Sequence, residues 1–193
     1  MDGAIRIRQA QARDAAMIAA VYAPYVRDTT ISFETEPPAA EEMSRRIAAI
    51  VARHPWLVAE QGGRILGYAY AGEHRSRASY RWDVDVAVYL AAEAQRRGIG
   101  RRLYLALFEV LRRLGYVNAY AGISLPNAAS VGLHEALGFT SVGIYRKVGY
   151  KHGAWHDVGW WAFGLQPPPS TPAEPMPYPM LDQLSLRSLL EAA

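Results

Sequence analysis

The stretch from Asp83 to Arg102, DVDVAVYL followed by AAEAQRRGIGRR, constrains this chain more than any other. Val84, Val86 and Val88 alternate with Asp83, Asp85 and Ala87, which predicts a strand with one apolar face and two carboxylates on the other. Gln95-Arg96-Arg97-Gly98-Ile99-Gly100 then makes a glycine-rich turn. From Arg101 to Arg113, Leu103, Leu107 and Leu111 recur at helical spacing with no glycine or proline between them. The glycines at 98 and 100 either close an ordinary turn or let a bulky ligand approach the backbone, with the N–H groups of the helix start aimed at a pyrophosphate. A glycine pair alone does not decide between these.

At 193 residues the chain is expected to form one domain with a tail, a unit over 1–165 followed by 166–193, long enough to bury a core. The absence of cysteine excludes a disulfide framework, a thiolate nucleophile and a cysteine-ligated metal, and no metal is expected. The start, MDGAIRIRQAQARDAA, has no apolar run of the signal-peptide kind, and no stretch is apolar for the ~18 residues of a membrane span. A cytoplasmic protein without a membrane partner is expected. A net charge of +3 is too small to argue for a nucleic-acid partner, although arginines bunch at 96, 97, 101, 102, 112 and 113. The last two read as a solvated helix face, while those beside the glycines are placed to neutralise phosphates.

Taken in order, Ile5 and Ile7 alternate with Arg6 and Arg8 in a first strand, and a helix follows Asp14 to about Tyr22, disturbed by Pro24. Thr29 to Pro38 is a polar loop that either reaches over a pocket with Phe33 or tucks Phe33 into the core. Ala40 to Ala52 is a helix, and Trp56–Ala59 and Ile65–Ala71 pair around Gly62-Gly63 as a hairpin. The segment His74, Arg75, Ser76, Arg77, Tyr80, Trp82 is either an anion clamp or a solvated loop. Tyr116–Ile123 is a strand, Asn127 caps a helix to about Leu137, and Phe139–Val148 and Trp155–Leu165 close the sheet. His134 in that helix is the kind of lone histidine that often serves a core. From Gln166 the composition turns proline-rich and is expected to be extended or disordered. A short helix over Met180–Ala192 carries Leu181, Leu184, Leu189 and Leu190, a face that would dock on the domain or on a neighbouring subunit.

The order strand, QRRGIG, helix, strand, NAASVGLHEALGF resembles the GNAT N-acetyltransferase superfamily over about residues 4–165. SFETEP at 32–37, YRWDVDVAVYL at 80–90, SLPNAASVGLHEALGF at 124–139 and GYKHGAWHDVGWW at 149–161 are similar to the group that acetylates phosphinothricin and methionine sulfoximine. The resemblance implies an α/β fold with a mixed central sheet splayed at the acetyl-CoA site and flanked by helices. It also implies acetyl-CoA as co-substrate, a small amino-acid analogue as acceptor of acetyl on its α-amine, and a homodimer. By the same resemblance Val88, Tyr89 and Leu90 hold the pantetheine arm, Arg96, Arg97, Gly98, Ile99, Gly100 and Arg101 the pyrophosphate, and Asn127 contacts the cofactor. His134 stands where this group carries histidine, and Asp85 stands where it usually has glutamate.

An ammonium must lose a proton before it attacks a thioester. Asp85, one methylene short, is expected to serve as base through a water, with Asp83 the alternate on the same strand face. Backbone N–H groups near Val88 and Tyr89 would stabilise the oxyanion, and His134 would donate or relay a proton to the thiolate. Arg75, Ser76 and Arg77 would bind the acceptor's carboxylate or phosphinate, walled by Phe33, Tyr80 and Trp82. A protein or peptide N-acetyltransferase, or a non-catalytic acyl-CoA-binding sensor, are the alternatives.

Overall fold

The computed structural model describes residues 3–191. Strands β1 (Arg6–Gln9), β2 (Trp56–Gln61), β3 (Arg64–Glu73), β4 (Asp83–Leu90), β5 (Asn118–Leu125), β6 (Thr140–Lys151) and β7 (Ala154–Gly164) form one open sheet in the order β1-β2-β3-β4-β5-β7-β6. Helices α1 (Ala15–Asp28), α2 (Ala40–Val51), α3 (Ile99–Leu114), α4 (Ala128–Ala136) and α5 (Gln183–Glu191) flank it. Strand alternation decides which residues meet which helices. Leu57, Ala59, Ala69, Ala71, Val84 and Val86 pack with Leu103, Leu107 and Leu111 of α3. Trp56, Val58, Ile65 and Tyr68 pack with Ile18 and Val26 of α1 and Met43 and Ile47 of α2. Fully burying a leucine or phenylalanine contributes about 2 kcal/mol, so α3 is anchored firmly beneath its own glycine turn. Gly115, at φ +91°, ends it.

The neighbours in the sheet are antiparallel except β4 and β5, which run parallel. That pairing covers Asp83 with Asn118, Val84 with Ala119 and Asp85 with Tyr120, and then stops. Strand β4 stays paired to β3 as far as Leu90, and β5 stays paired to β7 as far as Leu125. Each central strand therefore follows its own outer neighbours, and the sheet splits into a V beyond Asp85. The splay is where the resemblance places it.

Three expectations need correction. Helix α1 does not stop near Tyr22 but runs through Pro24 to Asp28, because Val26 is fully buried and the Tyr25 hydroxyl donates to Leu90 O at 2.6 Å. These contacts offset the hydrogen bond that proline cannot make. Strand β5 begins at Asn118 and ends at Leu125, two residues later than the apolar pattern suggests, because Tyr116 and Val117 are buried in the approach to it. The terminal helix begins at Gln183, and the expected end at Ala192 lies outside the described residues.

The proline-rich tail carries little regular structure but follows the domain surface. Trp82 Nε1–H donates to Ala173 O at 2.8 Å, Met176 N–H to Leu114 O at 2.8 Å and Tyr178 N–H to Arg53 O at 3.0 Å. Tyr178, Leu181, Leu186 and Leu190 are buried in the α3-side core, so α5 docks on its own chain, while Leu184 is 80% exposed. Among the described residues no helix is long and apolar enough to cross a membrane.

Candidate active site

On the α3 face, the glycine turn opens a cavity of about 500 Å³ lined by Val88, Leu90, Arg96, Gly98, Ile99, Gly100, Arg101 and Asn127. Gly98 sits at φ +75° and opens α3, whose first bond runs from Arg102 N–H to Gly98 O at 3.1 Å. The N–H groups of Ile99, Gly100 and Arg101 come before any helical acceptor and are open to an anion. With Arg96 and Arg101 beside them and Val88, Leu90 and Leu133 along the wall, this lining fits the pyrophosphate and apolar arm expected of acetyl-CoA. Asn127 Oδ1 accepts Ser130 N–H at 3.1 Å, so the residue caps α4 and lines the cavity at once. Two expected contacts lie elsewhere. Arg97 points to Gln61 Oε1 at 3.3 Å, and the Leu90 backbone is engaged by Tyr25, leaving its side chain as the lining part.

A narrow space of about 60 Å³ occupies the split between β4 and β5, lined by residues of both faces of the sheet. Val86, Val88, Tyr104 and His134 line it from the helix side, Ala87, Tyr89, Gly122 and Ser124 from the other, and Ile31 of the 29–38 loop covers it. His134 Nδ1–H donates to Ser130 O at 2.7 Å, which leaves Nε2 to accept the Tyr104 O–H at 3.0 Å. Burial lowers the histidine pKa against the opposing pull of Ser130 O, so the ring is neutral near pH 7. Burial also pushes the Tyr104 hydroxyl far above its ordinary value, keeping its proton in place.

On the opposite face, Asp85 is half-buried and its Oδ1 lies 2.6 Å from His74 Nδ1. Burial raises the Asp85 pKa, opposed by His74 and then by Arg75. The His74 ring stacks on Tyr120 with centroids 4.3 Å apart and meets the edges of Trp160 at 6.2 Å and Tyr80 at 6.3 Å. Arg75 lies over Trp160, 5.8 Å from the ring centre, and donates to His74 O at 3.0 Å. Asp85, Tyr120, Trp160, His74, Arg75 and Tyr80 thus form one cluster. Beside it, Tyr22, Tyr68, Tyr70, Tyr89, Trp56 and the Glu34–Arg46 ion pair line a cavity of about 230 Å³. Ser124 Oγ and Trp160 Nε1 are buried with no protein hydrogen-bond partner among the described residues.

The remaining expected acceptor residues are not brought into this cluster. Asp83 accepts Asn118 Nδ2–H at 2.9 Å and shares a cavity of about 330 Å³ with Arg75, Arg77, Arg81 and Glu174. Ser76 is exposed, and Trp82 is turned to the tail. Phe33 lies against Gly149, where any Cβ would come within 2.4 Å of its ring, and near His156. The loop bearing it is tied down by Lys151, whose buried Nζ donates to Val26 O at 2.5 Å and Ser32 O at 2.7 Å.

Sequence reading missed Tyr25, Tyr104, Tyr120, Trp160 and, above all, His74 as site residues. His74 follows only from the strand register, in which Gly72 stands opposite Asp85 and His74, two residues on, shares its sheet face. Tyr120 had no signal, since the register of a parallel pair is not written in either strand alone.

Comparison with known proteins matches residues 7–160 to the acetyltransferase (GNAT) domain family. The chain is 41% identical over 173 residues to a phosphinothricin N-acetyltransferase of Streptomyces viridochromogenes, covering 89% of this chain and 94% of the relative. It is 36% identical over 156 residues to an L-methionine sulfoximine/L-methionine sulfone acetyltransferase of Salmonella typhimurium, covering 79% of this chain and 90% of that one. Among solved structures, a GNAT superfamily phosphinothricin acetyltransferase from Sinorhizobium meliloti in complex with acetyl-CoA superposes with a TM-score of 0.83 at 32% identity, over 90% of this chain and 98% of that one.

Proposed function

The chain belongs to the GNAT acetyltransferase family, and from that membership and the site geometry we propose that it transfers acetyl from acetyl-CoA to the α-amino group of a small amino-acid analogue such as phosphinothricin or methionine sulfoximine. The observation that carries this reading is the split between β4 and β5, lined by Val88, Asn127 and Ser130 in common with the α3 cavity and by Ala87 and Tyr89 of the strand face bearing Asp85.

Asp85 is the carboxylate that drives deprotonation of the incoming ammonium, and it acts through an intermediary, because the nearest lining residue of the split on that strand face, Ala87, is two residues or roughly 7 Å further on. The freed amine attacks the carbonyl carbon, and the N–H of Val88, on the β4 edge that has no β5 partner there, stabilises the oxyanion, while the Tyr89 N–H faces β3. His134 takes a proton from the amine at Nε2, the nitrogen that accepts from Tyr104 while the site is at rest, and relays it to the departing thiolate. Arg75 takes the acceptor's anionic group, and the unpartnered Ser124 and Trp160 donors offer it further hydrogen bonds. The machinery lies within residues 1–165, with residues 166–191 a strap along its surface. We also assign the exposed apolar side chains of β6 and β7, Val142, Ile144, Tyr145, Val148, Tyr150 and Trp155, to a homodimer contact in a cytoplasmic enzyme, which sedimentation will test.

Thiol release from acetyl-CoA tests the reaction against phosphinothricin, methionine sulfoximine, methionine sulfone, ordinary amino acids and short peptides. Turnover concentrated on the first three compounds is expected. Turnover on peptides alone overturns the acceptor assignment, and tight acetyl-CoA binding with no thiol released from any amine overturns catalysis.

A further inference from the structure

The geometry points to His74, held by Asp85, as the group that takes the proton directly from the acceptor amine, so that the intermediary between amine and carboxylate is a side chain rather than a water. This rests on the acetyl-transfer reading above and adds a catalytic residue to it.

The Asp85 carboxylate can only accept in its 2.6 Å contact, so the proton in that bond belongs to His74 Nδ1. This tautomer leaves the lone pair on Nε2, and no described residue hydrogen-bonds that nitrogen. The ring cannot swing freely, because its face is stacked on Tyr120 and two aromatic edges, of Trp160 and Tyr80, close on it. Tyr120 is in register with Asp85, and Trp160 is in register with Gly122, where an added Cβ would press on its indole at 3.3 Å. Gly122 lines the split itself. His74 is therefore fixed on the acceptor face, bonded to Asp85 and in edge contact with Trp160, whose indole lies against Gly122 of the split. The ionisable groups around it are Asp85 on β4, Tyr120 on β5, and Tyr80 and Arg75 in its own connection.

In the reaction, Nε2 takes one proton from the ammonium and becomes part of an imidazolium whose Nδ1–H remains bonded to the Asp85 carboxylate. The amine lone pair forms the N–C bond, the C–S bond breaks, and the second amine proton leaves as the amide forms. The thiolate takes up one proton and the other is released to solvent, so ammonium and thioester give amide, thiol and one net proton. An aspartate in place of glutamate is then compensated, because the imidazole supplies the reach that the missing methylene removes.

Two measurements on the full chain test this. His74→Ala and His74→Asn should each lower kcat about 100-fold or more while leaving the acetyl-CoA KM within about twofold, as expected for loss of a general base. Added imidazole should restore His74→Ala at least tenfold and leave Asp85→Asn unrescued. Nitrogen-15 NMR of the wild type should show His74 as the Nδ1–H tautomer, with that preference weakened in Asp85→Asn. A His74→Ala enzyme within about threefold of wild type, a large loss that imidazole does not rescue, or an Nε2–H tautomer would each overturn the assignment. The tautomer is read with no acceptor present, and any amine the wild type acetylates serves for the kinetics. Turnover confined to peptides would thus remove the amino-acid-analogue reading without touching the His74 result.

Discussion

The two sides of the β4–β5 split are built in opposite ways. The α3 side is made largely from one unbroken piece of chain, Val88 to Arg101, and works largely through backbone: a left-handed glycine, a helix start and its open N–H groups. The acceptor side is made from side chains of β4, β5, β7 and two connections far apart in sequence. A site made of backbone can be shared by any chain that needs the same cofactor, whereas a site made of gathered side chains is free to differ between acceptors. The difference implies that damage to one side should leave the other's function measurable.

The largest effect should come from Gly98→Val. A β-branched residue at φ +75° is strained by roughly 1–2 kcal/mol, and Gly98 lines the cavity at the turn that would hold the anion. Calorimetry should show acetyl-CoA affinity down at least 100-fold, and normal affinity would break the assignment of this side. Lys151→Met strikes the other side, removing a charged donor from Val26 O and Ser32 O. We expect a loss of about 2 kcal/mol in urea unfolding and an acceptor KM raised about tenfold, with acetyl-CoA affinity changed less than threefold.

His134→Ala lies on the boundary and should lower kcat about tenfold. It also leaves the buried Tyr104 hydroxyl unpaired, at a cost of about 1–3 kcal/mol. Burial lowers the folded pKa of His134, so on acidification below about pH 6.5 the unfolded chain takes up this proton first and stability falls. The Ala variant should show a shallower fall in thermal midpoint over that range. Trp82→Phe should have the smallest effect. It removes one hydrogen bond to the tail, worth about 1 kcal/mol, and should leave the acceptor KM within twofold; a large KM change would return Trp82 to the acceptor pocket.

The same contrast explains what the sequence made legible. The strand, the glycine turn and α3 could be read because alternation, glycine placement and leucine spacing are local signals, and the cavity residues from Val88 to Arg101 lie within the span they define. The pairing of His74 with Asp85, the stacking on Tyr120 and the seating of Phe33 on Gly149 depend on register between strands and on a loop meeting a distant edge. Trp82 and Asp83 read as site residues from composition and alternation, but the tail and Asn118 hold them elsewhere, and no local pattern announces those partners. Helix α1 outran its proline because Tyr25 reaches Leu90, a contact between residues 65 positions apart.

The central claim, that the two sides meet only at the split and divide the work between them, is tested most directly on Asp85→Asn by titrating acetyl-CoA and timing a single turnover on the same preparation. The account predicts an acetyl-CoA Kd within twofold of wild type and an acetyl-transfer rate lowered about 100-fold or more. A rate near wild type, or an affinity that falls together with the rate, would contradict it.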